Sequence, residues 1–199
     1  MDSLPLAQHA QMIDSPHPET ILTLAANVSE ADAFRKFQDS TISSIIWRFV
    51  NGPLQRMAQV YLPFALYRLQ YQLGRTLHTR FFALDQVEGA LDLYEFPDLI
   101  AEKDLFRIET PNSLRPILSA DRSQSFLRDK ALRVIFQHGF FRIRQPQLQI
   151  ALVRSQFHIP YWLGIFGKDG HLRCRTIDAV RGRIEGQKVT RLFETWLAN

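Results

Sequence analysis

The sequence predicts an α+β fold made of two divergent helix–β-hairpin(–helix) repeats, with an antiparallel sheet and packed helices. Two similar stretches of sequence predict the repeat. In the first, Tyr61-Leu62-Pro63-Phe64 leads through an apolar run to Asp85-Gln86-Val87-Glu88-Gly89. In the second, His158-Ile159-Pro160-Tyr161 leads through another to Asp178-Ala179-Val180-Arg181-Gly182. Each half therefore carries an aliphatic-Pro-aromatic entry and an Asp-x-Val-x-Gly exit.

The order of the elements also supports a repeat. Ile21–Leu24 precedes the first predicted helix, and Leu114–Leu118 precedes the second. On this alignment, residues 1–19 form a flexible N-terminal arm and residues 20–100 the first α+β repeat. Residues 105–199 form the second repeat, which is more basic and ends in an amphipathic helix. The alternative is a chance match of two short motifs.

The first repeat is predicted to contain a helix followed by a hairpin. Ser29-Glu30-Ala31-Asp32 resembles a capping box that opens the helix, and Asn51-Gly52-Pro53 ends it. Its apolar residues at helical spacing are Ala33, Phe34, Phe37, Ile42, Ile45 and Ile46. Residues 54–73 and 79–84 are the two predicted strands, with a turn at Gly74. Because proline has no N–H to donate, Pro63 is expected at a strand start, an edge or a bulge.

The second repeat is predicted to follow the same plan. Ser123 or Ser125 opens a helix that ends at Gly139. Residues 148–166 form a strand, Lys168-Asp169-Gly170 forms the hairpin turn, and residues 171–177 form the return strand. The final helix has an apolar face that repeats every three or four residues. That face consists of Val189, Leu192, Phe193, Trp196 and Leu197.

Composition is typical of a soluble globular protein. The chain has 199 residues, of which 46% are hydrophobic and 22% charged. Its one cysteine, Cys174, excludes an internal disulfide framework and a cysteine-based zinc site. The N-terminus carries no secretory signal pattern, and no apolar stretch reaches the roughly 18 residues that a transmembrane segment needs. We therefore expect a cytoplasmic protein.

Charge is unevenly distributed between the halves. Residues 1–100 have a net charge of −4 and residues 101–199 a net charge of +8, which together give the formal +4 of the chain. A basic segment attracts nucleic acid, an anionic membrane surface or an acidic protein partner. The acidic first half of another copy is one such partner, so homodimerisation is expected among the interactions of this chain.

Arginines in the second half are the candidate binding residues. Together with an aromatic ring they form the set Arg142, Arg144, Arg154, Arg173, Arg175 and Tyr161. Basic side chains interleaved with aromatic rings suit single-stranded nucleic acid. The alternative, which we favour, is a solvated strand face whose arginines pair with acidic side chains from elsewhere in the chain.

The two Asp-x-Val-x-Gly segments have a catalytic and a structural interpretation. Asp85 and Asp178 are candidates for acid–base chemistry, or they accept backbone N–H bonds in turns that Gly89 and Gly182 complete. Their similar context in both halves favours the structural turn. Histidine spacing suggests no metal site, and no phosphate-binding glycine loop is present. We therefore predict no catalytic residue, no metal site and no cofactor.

One segment resembles a known family. Leu172-Arg-Cys-Arg-Thr-Ile-Asp178-Ala-Val-Arg-Gly182-Arg-Ile is similar to the hairpin end of PepSY-type domains, in which a strand runs into Asp-Ala-x-x-Gly. The resemblance covers about a dozen residues of the second half. It implies a small, non-catalytic regulatory or binding module.

The sequence therefore favours a non-enzymatic protein-interaction or regulatory module, whose partner is another protein or a second copy of the chain. The first alternative is nucleic-acid binding through the arginine-rich second half. The second is an enzyme that uses Asp85 and Asp178, which requires both carboxylates to share a pocket.

Overall fold

A computed structural model describes residues 18–39, 41–73, 75–137, 148–168 and 171–198. The strands are β1 (Glu19–Leu24), β2 (Leu54–Leu73), β3 (Thr76–Asp85), β4 (Tyr94–Phe96), β5 (Leu105–Thr110), β6 (Leu148–Lys168) and β7 (His171–Asp178). The helices are α1 (Glu30–Phe37), α2 (Ile42–Asn51), α3 (Ala120–Gln137) and α4 (Gln187–Ala198). A short 3-10 helix, Glu102–Asp104, precedes β5. The predicted α+β class is confirmed.

The strands follow the hydrogen-bonding order β4-β3-β2-β6-β1-β5, and β7 pairs with β6. Both predicted hairpins are antiparallel. In the β2–β3 pair the register runs from Phe64 opposite Asp85 to Leu73 opposite Thr76. In the β6–β7 pair it runs from Tyr161 opposite Asp178 to Lys168 opposite His171.

The chain divides into two compact units. The first contains residues 1–61, 106–114 and 159–199, and the second contains residues 62–105 and 115–158. These units do not coincide with the predicted segments 20–100 and 105–199. The reason is that the 20-residue β2 and the 21-residue β6 each contribute residues to both units.

The core of the first unit lies under α1 and the β6–β7 hairpin. Phe37 and Phe166 are fully buried, with ring centroids 5.8 Å apart in an edge-to-face contact. The indole N–H of Trp162 donates to the Val28 carbonyl at 2.8 Å, so the buried ring satisfies its polar atom. Four residues of the predicted apolar face of α4 are buried, namely Val189, Leu192, Phe193 and Leu197.

The core of the second unit lies between α3 and the β2–β3 hairpin. Leu127 of α3 belongs to the same buried cluster as Leu84 of β3, and Ala131 of α3 to the same cluster as Phe82 of β3. The β2 side chains Ala65, Tyr67, Leu69 and Tyr71 belong to the same two clusters. Burial of these apolar side chains is what fixes α3 on the hairpin.

Both prolines of the repeated motif lie inside long strands: Pro160 within the predicted strand 148–166, and Pro63 away from the strand start that was one of its predicted places. Pro63 lies within β2, one residue before the register with β3 begins. Its carbonyl accepts the Gln86 N–H at 2.9 Å, and the Pro160 carbonyl accepts the Ala179 N–H at 3.0 Å. Proline is tolerated at these two positions because the hydrogen bonds to Gln86 and Ala179 use the proline carbonyl, which proline retains.

The predicted single helix from Ser29 to Asn51 is wrong, because the chain forms two helices. Ser29 caps α1 as predicted, with its hydroxyl oxygen accepting the Asp32 N–H at 3.2 Å. However, α1 ends at Phe37 and α2 begins at Ile42. Residues 1–17 of the predicted arm 1–19 lie outside the described residues, and Glu19 already begins β1. The predicted turns at Gly74 and Asp169-Gly170 and the helix end at Gly139 also lie outside the described residues.

Candidate interaction surface

The outward face of α2 is apolar. Its members follow the helical spacing i, i+3, i+4, i+7 and i+8, and their exposed fractions range from 48% to 79%. We call this set the α2 ridge: Ile42, Ile45, Ile46, Phe49 and Val50. A helix packed on a protein body normally turns such a stripe inward and its polar residues outward. The orientation of α2 is therefore inverted, in the sense that its apolar stripe faces solvent and not the protein body.

The inward face of α2 carries a serine and a tryptophan. Ser44 is 1% exposed, and its hydroxyl oxygen accepts a hydrogen bond from the Arg175 guanidinium at 3.3 Å. The Trp47 ring packs edge-to-face on Phe166 with centroids 4.7 Å apart. The guanidinium of Arg175 lies 5.2 Å from the centre of the Trp47 ring, a cation–π contact. These contacts hold α2 with its isoleucines in solvent.

Gly52 fixes the end of α2. Its φ is +88°, a conformation that favours glycine, and its N–H donates to the Arg48 carbonyl at 2.7 Å. A Cβ at this position would lie 2.0 Å from the Gly167 carbonyl oxygen. The helix therefore ends against the backbone of β6, and the adjacent Pro53 carbonyl accepts the Gly167 N–H at 3.2 Å.

Charged groups lie at both ends of α2. Asp39 precedes the helix, and the Arg48 guanidinium donates to the Asp39 carbonyl at 3.2 Å. At the other end, the Lys168 ammonium donates to the Phe49 carbonyl at 3.2 Å and lies 5.1 Å from the Phe49 ring centre. Burial and then the neighbouring Arg48 lower the pKa of Arg175, against an opposing contribution from Asp39. The apolar ridge thus has Asp39 with the Arg48 guanidinium beside it at its start, and Lys168 at its end.

Three arginines of the predicted set, Arg154, Arg173 and Arg175, lie in the described residues. Arg142 and Arg144 lie outside them. Arg154, in the second unit, forms an ion pair with Glu102. In the first unit, Arg173 is exposed on β7 and Arg175 packs under α2.

Tyr161, the aromatic member of that set, is 2% exposed. Its ring packs on Phe193 of α4 with centroids 5.7 Å apart. An aromatic ring that stacks on bases must present a face at the surface, and the Tyr161 ring instead helps to attach α4.

Asp85 is buried, and its carboxylate organises the turn after β3. One oxygen accepts the Glu88 N–H at 3.0 Å and the Gly89 N–H at 2.8 Å, and the other accepts the Leu91 N–H at 3.0 Å. Gly89 has a φ of +65°, as the end of such a turn requires. The carboxylate is thus engaged by three backbone amides.

Asp178 has a similar environment after β7. It is 0% exposed, and one carboxylate oxygen accepts the Val180 and Arg181 N–H groups, each at 2.8 Å. The Gly182 N–H donates to the Asp178 carbonyl at 2.8 Å, and Gly182 has a φ of +70°. Asp85 belongs to the second unit and Asp178 to the first.

A cavity of about 450 Å³ lies in the second unit between α3 and the start of β6. Burial raises the pKa of Tyr67, one of its lining residues, while a hydrogen bond with Ser123 opposes the shift. The lining residues are Tyr67, Asp121, Gln124, Ser125, Arg128, Leu148, Ile150 and Leu152. Asp85 is not among them, so this cavity does not contain the carboxylate that an enzyme hypothesis would use.

Cys174 lies in the buried face of β7, with an exposed fraction of 5%. Burial, and then the Glu194 carboxylate, raises the pKa of its thiol to about 12. Because the thiolate is the reactive form, we expect the folded protein to resist iodoacetamide near pH 8. Mass spectrometry should show labelling only after denaturant is added. Fast labelling of the native chain would contradict a buried thiol with a raised pKa.

Among the residues that the structure describes, no three His, Cys, Asp or Glu side chains lie close enough together to hold a metal ion. In the same residues, no helix is long and apolar enough to cross a bilayer.

Comparison with known proteins finds no family model, no curated protein and no solved structure that matches this chain.

Proposed function

We propose that this chain is a non-enzymatic protein-interaction module that binds a protein partner through the α2 ridge. The observation that carries the proposal is the inverted orientation of α2. Ile42 and Phe49, near opposite ends of the ridge, are 78% and 79% exposed. Single exposed apolar side chains are common on protein surfaces, but a contiguous group of large ones marks an interaction site.

The spacing of the ridge matches a known mode of recognition. An amphipathic helix that enters a hydrophobic groove presents anchors at i, i+3, i+4 and i+7. Ile42, Ile45, Ile46 and Phe49 have this spacing. The contacts of Ser44 and Trp47 with the body already orient the helix, so less conformational entropy is lost when it binds.

We further propose that the chain is an internal duplication. Supporting this, the Pro63 carbonyl accepts the Gln86 N–H, just as the Pro160 carbonyl accepts the Ala179 N–H. The Gln86 carbonyl accepts the N–H groups of Ile117 and Leu118, each at 2.8 Å. The Ala179 carbonyl likewise accepts those of Asn27 and Val28, at 2.8 and 2.9 Å. Each hairpin turn thus binds the segment that opens a helix of the other half.

The duplication singles out α2 as the specialised element. After Ser119, α3 continues for 18 residues, whereas after Ser29 the chain forms an 8-residue α1 and a separate 10-residue α2. A break at residues 38–41 in only one copy gives α2 an orientation of its own. The module hypothesis therefore locates function where the two halves differ.

The proposal can be tested with a photo-crosslinking amino acid at Phe49. In the native cell, ultraviolet light should attach the chain to another polypeptide, because a docked ridge lies within reach of its partner. The same probe at Leu77, which is also apolar and 63% exposed but lies in β3, is the matched control. Polypeptide adducts at neither position, or equally at both, would contradict the proposal.

A further inference from the structure

We propose that the occupant of the α2 ridge is the α2 ridge of a second copy, packed antiparallel about a two-fold axis. This inference rests on the proposed function and names the partner. A two-fold interface must be complementary to itself, with residue i contacting residue j and j contacting i. The ridge meets this requirement in its shape, its area and its charges.

The shape of the ridge suits a helix pair. Its five side chains cover one face of a 10-residue helix over a little more than two turns. Its centre lies at the adjacent pair Ile45 and Ile46. When two such helices cross antiparallel at that point, Ile42 of one copy lies beside Phe49 of the other, and the side chains interleave as in ordinary helix packing.

The area of the ridge is sufficient for a small specific dimer. A large apolar side chain presents roughly 200 Å² when fully exposed. The exposed fractions of the ridge therefore correspond to on the order of 600 Å² per copy. If all of this area were covered, two copies would bury about 1,200 Å² in total, the lower end of the range for specific interfaces.

The charges favour the antiparallel arrangement. Asp39 precedes the start of α2, and the Lys168 ammonium lies over Phe49 near its end. An antiparallel pair brings Asp39 of each copy, with Arg48 beside it, toward Lys168 of the other, whereas a parallel pair would place the two Lys168 ammonium groups side by side. Antiparallel helices also place the positive end of one dipole beside the negative end of the other. The helix dipoles and the separation of the two lysines therefore favour the antiparallel orientation.

The first measurement is the solution mass of the purified chain by analytical ultracentrifugation. We expect twice the mass of the chain at micromolar concentration. Ile46→Glu should weaken the dimer by about 100-fold or more, because two carboxylates would enter an apolar interface. Leu77→Glu places the same charge on an exposed apolar residue in the second unit and should leave the dimer intact. Circular dichroism checks that both variants are folded.

Engineered cysteines test the orientation. Ile46→Cys should form a disulfide-linked dimer under mild oxidation, because the two-fold axis passes beside this position. A mixture of Ile42→Cys and Phe49→Cys should form the mixed dimer in preference to either homodimer. The native thiol is 5% exposed, so it adds no background. A preference for 42–42 and 49–49 links would overturn the antiparallel arrangement.

The outcomes separate this inference from the proposed function. A chain that stays monomeric at about 100 μM overturns the homodimer. If the Phe49 probe then labels a different polypeptide, the interaction module stands with another partner. A monomer that gives no polypeptide adduct but binds vesicles of phosphatidylglycerol and phosphatidylcholine overturns both proposals.

Discussion

Gly52→Ala is expected to lower the free energy of unfolding by about 3 kcal/mol or more, which is large for a single substitution. Two effects combine at this position. The backbone is in the positive-φ region, and the new Cβ would lie 2.0 Å from the Gly167 carbonyl oxygen. Because the overlapping atom of Gly167 belongs to the backbone, no side-chain rotation can relieve the overlap. The end of α2 must therefore move away from β6.

Chemical denaturation followed by circular dichroism measures this effect. Gly186→Ala is the matched control, because its Cβ would meet no atom within 4 Å. That variant should remain within about 0.5 kcal/mol of the parent. If Gly52→Ala were as mild as the control, the close approach of Gly52 to Gly167 would not exist in solution.

Asp85→Ala and Asp178→Ala should each cost about 3 kcal/mol, because each removal strips buried or partly buried backbone N–H groups of their acceptor. Asp85 accepts three such bonds through its carboxylate, and Asp178 accepts two. Asparagine at either position retains one side-chain oxygen and should cost less. Thermal and denaturant unfolding give the measurement.

Asp104→Ala is the control for these variants. Its carboxylate also accepts one backbone N–H, from Ala101 at 3.1 Å, but the bond is exposed to solvent. Its loss should cost no more than about 1 kcal/mol. A mild effect at one of the two buried positions and a severe one at the other would argue against equivalent turns, and so against the proposed duplication.

The hairpins could be predicted from sequence because their signals are local. Alternation, strand-forming residues and the Asp-x-Val-x-Gly exit set the ends of β3 and β7. The amphipathic pattern of α4 likewise gave its buried face. Strand order and the division into two units were not predictable, since they depend on which distant segments pair along β2 and β6.

The α2 ridge was missed although its signal is present in the sequence. At about 100° per residue, Ala33 and Phe37 lie on the side of a continuous helix opposite Ile42, Ile45 and Ile46. One straight helix cannot bury both sets. The change of phase therefore indicates either a break or a second surface, and the structure has the break between Phe37 and Ile42. Phe49 and Val50 extend the second phase.

The bond between the Asn27 side-chain amide and the Val180 carbonyl joins groups 153 residues apart. During synthesis on the ribosome, the N-terminal segment of the first unit must therefore wait for almost the whole chain. Pairings at such long range carry a large loop-closure entropy and fold slowly. Throughout that interval α1 lacks its packing surface on β6, so the Phe37 side chain stays without its Phe166 contact until β6 has been synthesised.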